Sequence, residues 1–135
     1  MSGPLTGGCL CGAVRYSVDA PVERLVACYC TDCQKISGAA GSVNALVPAD
    51  AFRLTAGSLN SFTKTADSGN ALERRFCADC GTCICNPLGG NAAFLILKVG
   101  TLDRQDGMRI VRNVWTCSRP SWAPMDADAE VSERG

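Results

Sequence analysis

The sequence predicts an all-β domain, rich in short strands and containing only short helical turns. Apolar or alternating segments recur along the 135 residues and are separated by glycine or proline, which is the pattern of strands joined by turns. No segment has the apolar spacing of an amphipathic helix. With 47% hydrophobic and 19% charged residues, the chain is typical of a globular protein that buries its own core. We predict a single domain over residues 5–124 and a polar C-terminal tail over residues 125–135.

About eight short strands are predicted from this pattern. Residues 13–19 alternate apolar and polar side chains, and residues 25–28 run directly into a cysteine cluster. One or two helical turns are predicted over residues 34–37, ending at Gly38. The further strands are predicted over residues 42–47, 52–55, 59–64, 71–76, 93–99 and 108–116, with a strand-like run at residues 83–85.

The charge balance argues against two classes of partner. Thirteen basic residues match 13 acidic ones, so the chain has no positive surplus to attract nucleic acid or an anionic membrane surface. The longest apolar run, residues 92–97, is too short to cross a bilayer, and residues 1–5 lack the basic start and apolar core of a signal peptide. We therefore expect a cytoplasmic protein that binds neither nucleic acid nor membrane, and the oligomeric state stays open.

Ten cysteines and no histidine dominate the candidate chemistry. A disulfide scaffold is one interpretation, but the chain is large enough for an ordinary core and shows no export signal. Seven of the cysteines form three short groups, at residues 9–11, 28–33 and 77–80, and within each group the spacing is C-x-C or C-x-x-C. Such spacing presents two thiols to one point, as a tetrahedral zinc ion requires. The spacing thus favours metal binding in a reducing compartment.

The first predicted site combines two pairs of cysteines that flank the middle group in sequence, one pair at residues 9 and 11 and the other at residues 77 and 80. A glycine follows the second cysteine of each pair, and glycine readily takes the positive φ that aims the N–H groups of a metal-binding turn at the sulfurs. Four thiolates would close the coordination shell, which is typical of a structural zinc site that stabilises the fold. The predicted ligands are Cys9, Cys11, Cys77 and Cys80.

The central cluster, Cys28, Cys30 and Cys33, offers three thiols and is the predicted catalytic site. Three protein ligands leave one position for water or substrate, as in catalytic zinc sites. Three thiolates also make the ion a weak Lewis acid, better suited to activating a bound thiol than to generating hydroxide. A fourth protein ligand would instead make the site structural, and the candidates for it are Cys83, Cys85, Cys117 and Asp32.

Two other interpretations stay open at this point. Thiol redox chemistry is one, since residues 30–33 and 80–83 have C-x-x-C spacing. A thioredoxin-like motif, however, opens a helix within a β-α-β unit, and no such unit is predicted. A non-catalytic, zinc-stabilised binding module is the other, and a fourth protein ligand at the central cluster would favour it.

The chain resembles the glutathione-dependent formaldehyde-activating enzyme family, which includes the centromere-protein-V-type domains. The resemblance covers residues 5–124 and rests on Gly-Cys-Leu-Cys-Gly at residues 8–12, Cys-Tyr-Cys-Thr-Asp-Cys-Gln-Lys-Ile-Ser-Gly at residues 28–38, and Phe-Cys-Ala-Asp-Cys-Gly-Thr at residues 76–82. It implies a fold of the β-tent type closed around zinc. It also implies a structural zinc on the four flanking cysteines and a second, labile zinc on Cys28, Cys30 and Cys33.

The resemblance further implies a reaction. Family members join glutathione to formaldehyde to give S-hydroxymethylglutathione, and the reverse reaction is that of a carbon–sulfur lyase. We therefore expect zinc at two sites, glutathione as co-substrate, and a small thiol or aldehyde adduct as the partner molecule. Lys35 and Ser37, just after the central cluster, are the candidate contacts to the thiol ligand. Tyr29 and Asn113 stand where many family members have histidine, and Cys117 stands where serine is common, so this chain cannot use a histidine base.

Overall fold

A computed structural model describes residues 3–66 and 69–135 of the chain. The chain forms two compact units, one built from residues 1–21 and 46–106 and the other from residues 22–45 and 107–135. In chain order the strands are β1 (Leu5–Gly8), β2 (Arg15–Val18), β3 (Arg24–Cys28), β4 (Ser42–Pro48), β5 (Phe52–Ala56), β6 (Leu59–Thr65), β7 (Ala71–Cys77), β8 (Cys83–Leu88), β9 (Asn91–Lys98), β10 (Arg109–Val114) and β11 (Glu130–Val131).

Helical structure is sparse, as the sequence predicts. Among the described residues there is one α-helix, α1 (Thr31–Ser37), together with 3-10 turns at Ala49–Ala51, Val99–Thr101 and Thr116–Ser118. None of these helices has the length and apolar character needed to cross a membrane. The prediction of an all-β fold with short helical turns is confirmed.

The first unit contains two groups of strands. In the smaller one β2 lies between β1 and β5 and pairs antiparallel with both. In the larger one the strand order is β9-β8-β7-β6, again with antiparallel neighbours. The core of this unit is built from fully buried side chains, and the Tyr16 ring stacks on Phe52 with centroids 5.0 Å apart. Its members include Val14, Tyr16, Val18, Ile84 and Leu97.

The second unit carries the helix. Its strand order is β11-β10-β3-β4, in which β10 runs parallel to both β11 and β3, and β3 runs antiparallel to β4. The small core of this unit packs Ala27 and Tyr29 against Ala123, with Ile110 and Met125 at its margin. Residues 46–48 at the end of β4 belong to the first unit.

Three elements differ from the prediction for local reasons. Helix α1 begins at Thr31 instead of residue 34, because the Cys30 side chain accepts a hydrogen bond from the Cys33 N–H and caps the helix. Strand β1 is not predicted from the sequence, because two of its four residues are glycine. A side chain at Gly7 would lie 2.4 Å from the Tyr16 hydroxyl, so glycine allows the close approach of β2. Strand β11, a two-residue strand, lies within the predicted polar tail and pairs with β10.

Candidate metal centres

The first cluster is presented by two similar turns. Cys9 and Cys11 lie between β1 and β2, where the Gly12 N–H donates to the Cys9 carbonyl at 3.2 Å. Cys77 ends β7, and the Gly81 N–H donates to its carbonyl at 2.9 Å. Both glycines have positive φ, +83° and +78°, a conformation that side chains disfavour. The glycine after each pair therefore has the role predicted from the sequence.

The four sulfurs of this cluster converge on one point. The Sγ atoms of Cys9, Cys11, Cys77 and Cys80 all lie within 4.8 Å of one another. The Cys9–Cys11 and Cys11–Cys77 sulfur separations are 3.6 Å and 3.8 Å. A tetrahedral zinc ion with zinc–sulfur distances of about 2.3 Å places its sulfurs about 3.8 Å apart. Both separations are close to this value, so the cluster fits a four-thiolate metal site.

Hydrogen bonds to the sulfurs hold this arrangement in place. The Val14 N–H donates to Cys9 Sγ at 3.2 Å, and the Asp79 N–H donates to Cys77 Sγ at 3.4 Å. Thr82 Oγ1 lies 3.1 Å from Cys80 Sγ and accepts a hydrogen bond from the Leu10 N–H, also at 3.1 Å. Such bonds orient metal ligands and offset the charge on thiolates.

The thiols of the first cluster differ in acidity. The bond to Thr82 lowers the pKa of Cys80 to about 5, and the backbone bond from Val14 lowers the pKa of Cys9. At Cys11 a backbone bond from Ala13 acts to lower the pKa, but the neighbouring thiols, Cys9 first, raise it to about 12. The cluster therefore loses its first protons easily, while loss of the last one requires a cation among the sulfurs.

The second cluster is formed where β3 passes into α1. Cys28 ends β3, Cys30 caps the helix, and Cys33 lies buried in its first turn. Their sulfurs all lie within 4.8 Å of one another. Among the described residues of this unit, no fourth cysteine or carboxylate joins the group, and Asp32 and Cys117 lie outside it. The cluster can hold a metal ion by three thiolates.

Acidity distinguishes the two clusters. The Cys28 thiol donates a hydrogen bond to Cys30, and this bond, followed by the one to Cys33 and by burial, raises the pKa of Cys28 above its ordinary value. At Cys30 the bond from Cys28 lowers the pKa, but Cys33 and burial raise it overall. Packing three sulfurs in a partly buried site makes successive thiolates unfavourable, so a bound cation is needed to ionise all three.

Gln34 and Tyr29 fix the loop that carries the second cluster. The Gln34 side-chain amide donates to the Tyr29 carbonyl and to the Ser118 carbonyl, both at 2.9 Å. The Tyr29 hydroxyl donates to the Pro124 carbonyl at 3.1 Å. Behind the loop, a side chain at Gly41 would lie 2.1 Å from the Cys28 carbonyl oxygen. No local sequence pattern indicates these contacts of Gln34 and Gly41.

Lys35 and Ser37 follow the cluster on α1. Lys35 is exposed and lies two positions after Cys33, a spacing at which two side chains do not share a helix face. The Ser37 hydroxyl donates to the Gly41 carbonyl at 2.8 Å and accepts from the Ala39 N–H at 3.1 Å. The hydroxyl hydrogen of Ser37 is therefore used in a hydrogen bond just after the C-terminal end of α1.

The remaining cysteines lie outside both clusters. Cys85 is fully buried in β8, where burial raises its pKa to about 11, as expected for a thiol acting as a small apolar side chain. Cys83 is half-buried on the same strand, and Cys117 is exposed in the second unit. All ten cysteines are unpaired, which excludes the disulfide scaffold.

Asn113 is fully buried, and its amide donates to the carbonyls of Asp126 and Glu130 at 3.1 and 3.4 Å, so it anchors the C-terminal segment.

The C-x-x-C segment at residues 30–33 does open a helix, but β3 and β4 on either side of it are antiparallel. The β-α-β setting of a thioredoxin-like site, which has parallel strands, is not formed there.

Comparisons with known proteins agree with the cysteine pattern. A family model described as glutathione-dependent formaldehyde-activating enzyme matches residues 4–118. A Phaeosphaeria nodorum protein named "Putative glutathione-dependent formaldehyde-activating enzyme" is 35% identical over 79 residues, which is 58% of this chain and 40% of that relative. The match thus spans less than half of the relative's length. A crystal structure of a Rhodobacter sphaeroides protein has a similar fold, with a TM-score of 0.61 and 20% identity over 75% of this chain and 90% of that one.

Proposed function

Because the chain belongs to the glutathione-dependent formaldehyde-activating enzyme family, we propose that it is a zinc-dependent enzyme of the carbon–sulfur lyase type. Its substrate class is the adduct of an aldehyde with glutathione or another small thiol. The proposed structural zinc ligands are Cys9, Cys11, Cys77 and Cys80, and the proposed ligands of a second, catalytic zinc are Cys28, Cys30 and Cys33.

The observation that carries this proposal is the difference between the two clusters. The first offers four sulfurs and so completes a tetrahedral shell by itself. The second offers three, and within its unit no further described cysteine or carboxylate joins them. A site with three protein ligands keeps a position for an exogenous ligand, which the thiol of the substrate can take.

The proposed reaction joins a thiol to a small carbonyl compound. The thiol sulfur forms a bond to the carbonyl carbon, the carbon–oxygen double bond becomes single, and the thiol proton ends on the oxygen. The lyase direction breaks the same carbon–sulfur bond and returns the proton to sulfur. Zinc, when bound, would supply the lowered pKa that turns the substrate thiol into a thiolate at neutral pH.

The protein's own groups would position the substrate. The Cys33 N–H donates to the Cys30 sulfur at 3.3 Å, and the Gln34 N–H donates to the Cys30 carbonyl at 3.0 Å. Because both N–H groups are already used, they are not donors for the negative oxygen that develops on the carbonyl substrate. Lys35 does not share a helix face with Cys33, so it is proposed to contact a carboxylate of a peptide thiol away from the reacting sulfur, through an ammonium that is exposed on a long flexible stem. Ser37 would reach the ligand only as a hydrogen-bond acceptor.

The compartment follows from the thiols. Ten unpaired cysteines, seven of them in the two clusters, require a reducing environment to keep their metal-binding form. We therefore place the protein in the cytoplasm. There, small thiol peptides such as glutathione are the proposed co-substrates, and we propose no nucleic-acid or membrane partner.

The test is exchange spectroscopy with the zinc-loaded protein. Glutathione and ¹³C-labelled formaldehyde equilibrate slowly with S-hydroxymethylglutathione, and the exchange rate between free and bound ¹³C signals reports catalysis. We expect acceleration by the wild type, its loss in Cys30→Ser, and its retention in Cys117→Ser, whose thiol lies outside both clusters.

Metal analysis separates this enzyme from a zinc-stabilised binding module. We expect two zinc ions per chain, of which mild chelation removes one together with the exchange activity. Replacement of that ion by cobalt should give a thiolate-to-metal absorption band that shifts when glutathione is added. A single, non-exchangeable ion, or two ions with no acceleration and no spectral shift, would refute catalysis and favour the binding module.

A further inference from the structure

The outer edge of β6 is a surface that the proposed chemistry does not use. In the strand order β9-β8-β7-β6, β6 is terminal, and no strand in the described part of the chain pairs with its other edge. Leu59 is half-buried and every residue from Asn60 to Thr65 is exposed. Seven extended residues with one open edge are a template for pairing with another strand.

The hydrogen bonds of β7 show which backbone groups of β6 face outward. Leu59 lies opposite Cys77. The Cys77 N–H donates to the Thr82 carbonyl at 3.0 Å, and its carbonyl accepts from the Gly81 N–H at 2.9 Å, so Leu59 and Cys77 do not form a hydrogen-bonded pair. Because bonded and non-bonded pairs alternate along an antiparallel ladder, the odd-numbered residues of β6 direct their N–H and C=O groups away from β7.

Two further bonds agree with this alternation. Beyond the other end of β6, the Ala66 N–H donates to the Asn70 carbonyl at 2.8 Å, as expected for an even-numbered residue. The Ser61 N–H donates to the side-chain oxygen of its neighbour Asn60 at 2.9 Å. The outward-facing backbone groups thus belong to Leu59, Ser61, Thr63 and Thr65.

These four residues are arranged symmetrically about Phe62. When the β6 strands of two copies run antiparallel with Phe62 opposite Phe62, Leu59 faces Thr65 and Ser61 faces Thr63 in hydrogen-bonded pairs. The Ser61 N–H then exchanges its Asn60 side-chain acceptor for the Thr63 carbonyl of the other copy. Phe62 then occupies a non-bonded pair, in which side chains are closest. Its side chain is 57% exposed, so the two rings bury apolar surface that water now covers.

The charge pattern permits this contact between identical chains. Lys64 is the charged residue of β6, and in the symmetric register it faces neutral Asn60, so no like charges are opposed. The chain as a whole has a formal net charge of zero, so two copies do not repel each other. Natural edge strands are usually protected by several charges, a proline or a bulge. Strand β6 has one charged residue, Lys64, and no proline to protect its edge.

We propose that β6 is the interface of a symmetric homodimer in which two copies join their sheets edge to edge through Phe62. A strand-sized contact is smaller than a standard protein interface, so the dimer is expected to be weak and to dissociate on dilution. The proposal is independent of the proposed chemistry, because both cysteine clusters lie outside β6.

Sedimentation velocity of the zinc-loaded full chain tests the proposal. The sedimentation coefficient should rise with protein concentration toward that of a two-chain particle. Phe62→Lys and Phe62→Glu should each weaken self-association at least about tenfold by opposing like charges at the centre, and an equimolar mixture of the two should restore it. Because Phe62 is exposed, both variants should fold.

A second pair of variants tests the backbone contact directly. Thr63→Pro removes an outward N–H at an edge position where proline is tolerated, and Thr63→Val keeps that N–H. Only the proline variant should lose self-association. A wild type that stays a single chain at the highest concentration, or association that survives both Phe62→Lys and Thr63→Pro, would overturn the proposal.

Discussion

The hydroxyl oxygen of Thr82 accepts a hydrogen bond from the Leu10 N–H at 3.1 Å, across 72 positions of sequence. The same oxygen lies 3.1 Å from Cys80 Sγ. Leu10 separates Cys9 from Cys11, and its side chain is 90% exposed, so it contributes its backbone and not its apolar surface. One hydroxyl therefore links the two turns whose sulfurs form the first cluster.

Removing this hydroxyl should loosen the first cluster. We expect Thr82→Val, which keeps the shape but not the hydroxyl, to lower the free energy of unfolding by about 0.5–1.5 kcal/mol, because the Leu10 N–H and Cys80 Sγ both lose a partner while the exposed N–H can still bind water. Thr82→Ser should stay close to the wild type. Urea unfolding of the zinc-loaded proteins measures the difference. Equal stability of the valine and serine variants would show that the hydroxyl bonds contribute nothing.

The strands and the two clusters could be predicted because their signals are local. The alternation of residues 59–64 marks β6, and the paired cysteines followed by glycine mark the turns that aim sulfurs inward. Strand β1 could not be predicted, since two of its four residues are glycine and the reason lies in the approach of Tyr16. Strand β11 depends on its pairing with β10, which no local pattern indicates.

The residues that support the clusters escaped prediction because their partners are distant in sequence. The Gln34 amide donates to the Ser118 carbonyl, 84 positions away. The Thr82 hydroxyl likewise accepts from the Leu10 N–H across 72 positions. A glutamine on a short helix is ordinarily a solvated side chain. Only the fold shows that this one donates to the backbone carbonyls of Tyr29 and Ser118.

Gln34 should control the second cluster without affecting the first. We expect Gln34→Met, which keeps the side-chain length, to leave the Tyr29 and Ser118 carbonyls without their donor and to speed zinc loss from the three-thiolate site several-fold. Gln34→Glu should do so more strongly, because a carboxylate would face two carbonyl oxygens. Zinc release to a chromophoric chelator separates the two ions by rate.

The control for this experiment is the slow phase of zinc release, which reports the four-thiolate cluster. It should be unchanged in both Gln34 variants, because Gln34 belongs to the other unit of the chain. Acceleration of both phases would indicate a general loss of stability and would contradict a local role for the amide.

Protonation of Asp103 should lower the free energy of unfolding at low pH. Its carboxylate accepts hydrogen bonds from the Arg15 guanidinium at 3.0 Å and the Thr6 hydroxyl at 2.7 Å, and these, Arg15 foremost, lower its pKa to about 2. The ordinary value, about 3.9, applies in the unfolded chain. Since the folded state binds this proton less tightly, the contribution is complete above about pH 4 and is lost as the pH falls toward 2.

The expected size of this effect is small, because the Arg15 and Asp103 side chains are 40% and 42% exposed. We expect Asp103→Asn to cost at most about 1 kcal/mol at neutral pH. The difference from the wild type should shrink below about pH 3, and acid loss of zinc is common to both proteins. A carboxyl NMR titration of Asp103 with a midpoint near 4 would refute the predicted pairing.

Gly41 should be essential for the geometry of the second cluster. A Cβ at this position would lie 2.1 Å from the Cys28 carbonyl oxygen and 3.1 Å from the Tyr29 Cα, both of them backbone atoms that cannot turn aside. We therefore expect Gly41→Ala to lower the free energy of unfolding by about 1–3 kcal/mol and to displace the end of β3. The matched control is Gly100→Ala, whose Cβ would meet no atom within 4 Å.

The displacement should be visible at the metal itself. Because Cys28 ends β3, a shift of its backbone moves one of the three sulfurs, and the cobalt-loaded Gly41→Ala protein should lose intensity in the absorption band of the second cluster. Gly100→Ala should keep the wild-type spectrum. A Gly41→Ala protein with wild-type stability and spectrum would show that β3 and β4 can separate without cost, and that the close approach at Gly41 does not hold Cys28 in place.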